Sequence, residues 1–202
     1  MDDFKLVLDV ALLKAAVLFV ADKKDTRKYL GTVHVYTKGG KVMTEAANGH
    51  AAFVGVNSYE TPESLAKDVD VCIPATTLKD VLTGVRGTLV RLEFTNGIWR
   101  LESTPFYPFT EREYPRISQV VPTSFSGEVA QFDPRYIALF GRASKLLRNK
   151  DAIPLVTIRH NGAACAALVG MGVSSAFGVL MPRMGDELPD VPGWFKEVHG
   201  RE

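Results

Sequence analysis

The sequence is poor in the features that mark most specialised protein classes. Two cysteines, Cys72 and Cys165, among 202 residues are too few for a disulfide framework or a cysteine-based metal set, so a reducing, cytoplasmic compartment is expected. No hydrophobic run is long. The longest, 10–21, is broken by Lys14, whereas a membrane span takes about 20 apolar residues. The opening Met1-Asp2-Asp3-Phe4 lacks the basic stretch of a secretory signal. Neither charge is in excess. With 24 basic and 23 acidic residues, net +1, any contact with nucleic acid has to use a local basic face. The content of 46% hydrophobic and 23% charged residues excludes wholesale disorder. The length fits one large domain or two small ones.

Catalytic signatures are missing as well. There is no phosphate loop ending in Lys-Ser or Lys-Thr and no His-Glu-x-x-His. Gly172-Val173-Ser174-Ser175-Ala176 begins like a nucleophile elbow but lacks its final glycine. His34, His50, His160 and His199 stand at no ligand spacing. They read as strand or surface histidines, and both cysteines, set among apolar residues, read as buried thiols. No acid–base pair stands out. The expectation is a protein with no catalytic residues, no metal and no cofactor.

What the chain does have is repetition. A unit of strand, helix start, helix and hairpin occurs three times. In the first, Phe4-Lys5-Leu6-Val7-Leu8 is the strand, Asp9 the N-cap and 10–21 the helix. Leu30-Gly31-Thr32-Val33-His34-Val35-Tyr36 and Lys41-Val42-Met43-Thr44 flank the turn Gly39-Gly40, and Asn48-Gly49 leads into a further strand ending at Val56. In the second, Val69-Asp70-Val71-Cys72-Ile73 precedes Pro74, a residue favoured at a helix start, and a short helix ending before Gly84. Its hairpin turns at Asn96-Gly97, a pair suited to the two positive φ angles of a type I′ turn. In the third, Glu128-Val129-Ala130-Gln131-Phe132 precedes the cap Asp133-Pro134 and a helix to Leu147, and a hairpin is expected at Asn161-Gly162. The anchors Leu8, Ile73 and Phe132 are 65 and 59 residues apart.

In this order the motifs resemble the bacterial sliding clamp, the β subunit of the replicative DNA polymerase. The likeness rests on Leu12-Leu13-Lys14, Leu30 to Val35 and Asn48-Gly49-His50. It rests also on Val71-Cys72-Ile73-Pro74-Ala75, the linker-like Tyr114-Pro115-Arg116-Ile117-Ser118-Gln119-Val120-Val121-Pro122, and the closing Phe132-Asp133-Pro134-Arg135-Tyr136-Ile137 and Gly178-Val179-Leu180-Met181-Pro182. It covers about residues 3–184. A full clamp subunit has six such units, and three occur here. Arg27-Lys28 and the long connection 59–68 have no counterpart, so a shortened, diverged, phage- or plasmid-like relative is implied. The resemblance implies an α+β fold with antiparallel sheets outside and helices on an inner face. It divides the chain into a two-unit domain at 1–122, a half domain at 123–184 and a Pro-containing acidic tail at 185–202.

It also implies duplex DNA as a partner, bound without reading sequence, and a replication protein such as a polymerase as the molecule tethered. Such a fold needs cations on the helix faces turned from the core. At about 100° per residue, Arg135, Arg142, Lys145 and Arg148 gather on one side of the third helix, and Tyr136, Leu139, Phe140, Ala143 and Leu147 on the other. Lys14 and Lys79 are the candidates on the first two helices. The alternatives are an oligomeric scaffold of this fold that does not bind DNA, and an enzyme whose site the sequence does not reveal. The third unit, apolar and without a neighbour of its kind in these 202 residues, is expected to pair with its copy in a twofold homo-oligomer, the alternative being that it folds back on the first two units and leaves a monomer. Four chains would be needed for a ring of twelve units. The tail segment Leu188-Pro189-Asp190-Val191-Pro192-Gly193-Trp194-Phe195 either packs on its own domain or docks on a neighbouring subunit.

Overall fold

Each of the three helices starts where an extended segment meets a residue that ends it. The computed structural model describes residues 3–57, 69–149 and 151–185. In the first unit β1 (Phe4–Asp9) runs into α1 (Val10–Val17). The Asp9 carboxylate accepts the Ala11 and Leu12 N–H groups at 2.7 and 3.3 Å, satisfying donors that a helix start leaves unpaired. β2 (Thr32–Lys38), β3 (Lys41–Ala47) and β4 (Ala51–Val56) follow. In the second unit β5 (Asp70–Pro74) leads into α2 (Ala75–Gly84), β6 (Leu89–Thr95), β7 (Ile98–Leu101) and β8 (Thr104–Phe106). In the third, Asp133 accepts the Arg135 N–H at 2.9 Å at the start of α3 (Pro134–Leu147), and β9 (Thr157–Arg159), β10 (Ala167–Gly170) and β11 (Ala176–Leu180) complete it.

All strand pairs are antiparallel and form two sheets, ordered β1-β6-β7-β8 and β5-β2-β3-β4-β11-β10-β9. The first two units exchange their opening strands: β1 lies on β6, and β5 lies on β2. The third unit continues the sheet of the first through β4 and β11, paired from Ala51↔Leu180 to Gly55↔Ala176. The helices pack side by side with α1 between α2 and α3. Under them lies one core holding Leu6, Leu8, Leu12, Leu13, Phe19, Phe53, Ile73, Leu78, Leu92, Leu101 and Phe140. Each such side chain contributes about 1.5–3 kcal/mol by leaving water. The alternate residues of the long sheet point the other way. There Ala52, Val54, Cys72 and Val179 meet Tyr114 and Ile117 of the linker, so the linker covers part of the face opposite the helices.

The structure corrects the sequence reading at several points. The first helix ends at Val17 rather than near 21, because the Leu18 and Phe19 N–H groups turn back to Ala15 and Ala16 and send Phe19 into the core. Pro74 is the last strand residue and the N-cap, not the first helical position. The three-residue β8, with Pro105 at a sheet edge where proline is tolerated, was not expected. Residues 128–132 do not form a strand; Gln131 makes a single bridge with Arg183. Asn161-Gly162 is not a tight turn. It lies in a longer loop, where the Gly162 N–H donates to the Glu128 carbonyl and Asn161 Oδ1 accepts the Ser126 N–H. Cys165, in that loop, is exposed rather than buried. The connection 59–68 and the tail segment 188–195 lie outside the described residues.

Candidate nucleic-acid interface

The helix layer gathers cations that the sequence leaves scattered. Lys14 on α1 and Lys79 on α2 line one surface depression together with Val17, Leu82 and Thr83. Their two helices pack against each other, which turns two isolated lysines into neighbours. On the other side of α1, α3 exposes Arg142 and Lys145 while Phe140 and Ala143 are buried. Among the described residues none of Lys14, Lys79, Arg142 and Lys145 forms an ion pair. Their charge is therefore available to an external anion.

The remaining two candidates are engaged within the chain. Arg135 pairs with Asp133 at 2.6 Å and also holds it through Nε, an arrangement that keeps the Asp133 carboxyl down at about 2. Arg148 lies past the end of α3 in extended conformation, so its helical-wheel position does not apply. Its guanidinium donates to the Gly172 carbonyl at 2.9 Å. Sequence reasoning also passed over Lys23, which lines a small cavity with Lys79, Lys28 and Ala75 beside the start of α2. The adjacent pair Lys23-Lys24, in the connection between α1 and β2, was the available signal.

A second feature lies where the first unit, the linker and β11 meet. An apolar cleft of about 260 Å³ is walled by Leu30, Ala52, Ile117, Val120, Val179 and Met181, with Arg27, His50 and Arg116 also lining it. Val120 and Met181 are large apolar side chains that stay exposed at this cleft. His50 does not face it alone, because its ring stacks on Tyr136 at 5.0 Å.

Beyond the cleft, the same outer face carries a polar cluster. His34 Nε2 lies 2.9 Å from Asp70 Oδ1, Glu45 Oε2 is 3.9 Å from His34 Nδ1, and the Tyr36 hydroxyl donates to Glu45 Oε1 at 2.7 Å. Burial disfavours a charged His34, but the Glu45 and Asp70 carboxylates outweigh it and raise its pKa above 6.5. Nearby, burial pushes the Cys72 thiol up to about 11, which leaves it protonated and inert. Among the described residues no group of three or more His, Cys, Asp or Glu is placed to hold a metal ion, and no helix is long and apolar enough to cross a membrane.

No protein-family model matches the sequence, and no curated protein is similar to it by sequence. Solved structures are similar to it. The DNA polymerase III β subunit of Thermotoga maritima superimposes with a TM-score of 0.68 over 92% of this chain and 67% of its own, at 11% identity. The β sliding clamp of Caulobacter crescentus gives 0.68 over 90% of this chain and 65% of its own, at 17% identity. The β chain of Streptococcus pneumoniae gives 0.62 over 90% and 65%, at 17% identity. The chain has the sliding-clamp fold. It spans about two thirds of the length of these clamps. Its antiparallel sheets on one side and its helix layer on the other are the clamp arrangement that the sequence motifs implied.

Proposed function

We propose that the chain is a non-catalytic, sliding-clamp-like factor that holds duplex DNA against its helix layer and tethers a replication enzyme such as a polymerase to it. Residues 1–122 form the complete two-unit domain of this reading and 123–184 a half domain. The observation that carries it is the set of unpaired cations, Lys79, Lys14, Arg142 and Lys145, spread over three adjacent helices of one layer. Contacts of such cations to phosphates position a duplex and carry no sequence information.

The tethering half of the reading uses the apolar cleft. Exposed apolar walls at Val120 and Met181, with Arg27 and Arg116 beside them, suit an extended peptide of the tethered enzyme that brings apolar side chains and an acidic group. The cleft lies on the sheet face and leaves the helix layer free for DNA. A scaffold that keeps the fold without DNA is the second reading. The engagement of Arg135 by Asp133 and of Arg148 by Gly172 favours it, since both cations then serve the chain itself.

Titration of random-sequence duplexes against the protein over a range of salt separates the two. Four phosphate contacts give a slope of log K against log salt near −3.6, at about −0.9 per contact, with no preference among sequences. A scaffold gives no binding at low salt.

A further inference from the structure

Alternate residues of a strand share one face. On the face turned from the helices β2 presents His34, Tyr36 and Lys38, while Val33 and Val35 enter the core. Across from them stand Glu45 of β3, paired with His34, and Asp70 of β5, paired with Tyr36. Linker residues 113–118 wall these side chains into a groove of about 560 Å³. Pro115, Arg116 and Ile117 border the apolar cleft as well, but the polar floor belongs to the groove alone.

Glu45 is a half-satisfied carboxylate on that floor. Its side chain is 8% accessible, and a buried charge needs donors or a counter-charge. Oε1 accepts the Tyr36 hydroxyl at 2.7 Å. Oε2 stands 3.9 Å from His34 Nδ1, beyond hydrogen-bond reach, and Nδ1 is itself buried without a hydrogen-bond partner. The other ring nitrogen, Nε2, is engaged by Asp70 at 2.9 Å. With its proton there, a neutral His34 turns a lone pair toward Glu45. Glu45 Oε2 then lacks a donor unless His34 takes a second proton or a cation enters the groove.

The walls suit an organic cation. The rings of Tyr36 and Tyr114 stack on His34 at 4.7 and 4.8 Å, an aromatic surface of the kind that attracts cations. The carboxylates of Glu45, Asp70 and Glu113 outnumber the cations Lys38 and Arg116 around the groove, so it is net negative while His34 is neutral. Among the described residues neither Lys38 nor Arg116 pairs with a carboxylate.

We propose that this groove binds an arginine side chain of a partner protein, its guanidinium stacked on the tyrosine-lined wall and donating to Glu45 Oε2 and Asp70. A guanidinium is planar, carries five N–H groups and stacks on aromatic faces, whereas a lysine ammonium is a compact, strongly hydrated charge. The bound cation and a second proton on His34 compete for the same two carboxylates, so binding strengthens as pH rises through the His34 titration. Lys38 shares the strand of His34, and Glu113 and Arg116 face it from the linker, but only Glu45 and Asp70 pair with its ring nitrogens among the described residues. Burial keeps Tyr36, Tyr114 and the cross-strand neighbour Cys72 protonated over this range. The site depends on neither the DNA reading nor the tethering reading, and its failure leaves both standing.

Nuclear magnetic resonance titration of the full chain with the capped tripeptide Gly-Arg-Gly tests this, with Gly-citrulline-Gly as the uncharged isostere. The arginine peptide is expected to shift the His34, Tyr36 and Glu45 resonances at concentrations on the order of millimolar, and to bind more tightly at about pH 8 than at about pH 6. The citrulline peptide is expected to shift none of them. Glu45→Gln keeps the shape and an acceptor for Tyr36 but removes the charge, and Asp70→Asn does the same on a side chain that is 77% accessible. Each should weaken binding about tenfold, as loss of one hydrogen bond to a charged group does, with the backbone spectrum otherwise that of the parent. The absence of any shift with the arginine peptide overturns the proposal. So do equal shifts with the citrulline peptide, an affinity that does not change with pH, or a folded Glu45→Gln variant that binds as the parent does.

Discussion

The rings of Phe19, just past α1, and Phe140, in α3, lie 4.8 Å apart and are both fully buried. Phe19 also stacks on Phe53 of β4 at 5.6 Å. This aromatic group fastens the third unit to the first and sets α3 beside α1. Phe140→Ala is expected to lower stability by about 3–5 kcal/mol, as large core truncations do, measured by urea unfolding. Gly178 bears on the same contact. A Cβ there would collide with the Phe140 ring and stand 3.0 Å from the Ala52 carbonyl oxygen, so Gly178→Ala should cost about 1–3 kcal/mol by overpacking. A neutral result at both positions would show that the third unit does not rest on this contact.

His34 makes stability depend on pH. Burial works against its charged form, yet Glu45 and Asp70 hold its pKa above the ordinary 6.5. A pKa raised in the folded state means that the folded protein binds the proton more tightly. The contribution is complete below pH 6.5 and is lost as pH rises through the folded value. The melting temperature should therefore fall over that window, and His34→Gln should remove that part of the slope. An identical profile in the variant would assign the pH dependence elsewhere.

In the proposed reading the cleft of the first unit and linker serves tethering and the helix layer serves DNA, so the two can be separated by substitution. Val120→Asp with Met181→Asp places charges on two side chains that are already exposed, so stability should change by about 0.5 kcal/mol or less each. Stimulation of polymerase processivity should be lost while duplex binding stays at the parent's level. Loss of both together would contradict a cleft that acts apart from the helix layer.

Much of this architecture was legible in local chemistry. Asp9 and Asp133 announce helix starts because an aspartate at that position satisfies free N–H groups, and both do so. Asn96-Gly97 announced its hairpin because few other pairs accept φ values of 53° and 78°. The same dipeptide logic misplaced Asn161-Gly162, where those residues bind the 126–128 segment instead of closing a turn. The strand exchange was not legible, since periodicity tells which residues form strands but not whose sheet they join. The third opening segment shows the consequence: its sequence reads as a strand like the other two, but a strand needs a partner along its length, and among the described residues its only ladder pairing is the single Gln131–Arg183 bridge. The candidate site was partly legible. Arg142 and Lys145 followed from helix periodicity, and the closeness of Lys14 to Lys79 from packing alone. The engagement of Arg148 by Gly172 depends on a residue 24 positions away, beyond any local pattern.

The central claim is that the helix layer holds DNA through its free cations. Its most direct test compares the parent with Arg142→Glu/Lys145→Glu in duplex binding across salt concentrations. Both residues are exposed and form no ion pair among the described residues, so the fold should be unaffected. The account predicts weaker binding and a salt slope smaller by about 1.8, two contacts at about 0.9 each. Equal affinity and equal slope in the two proteins would contradict it.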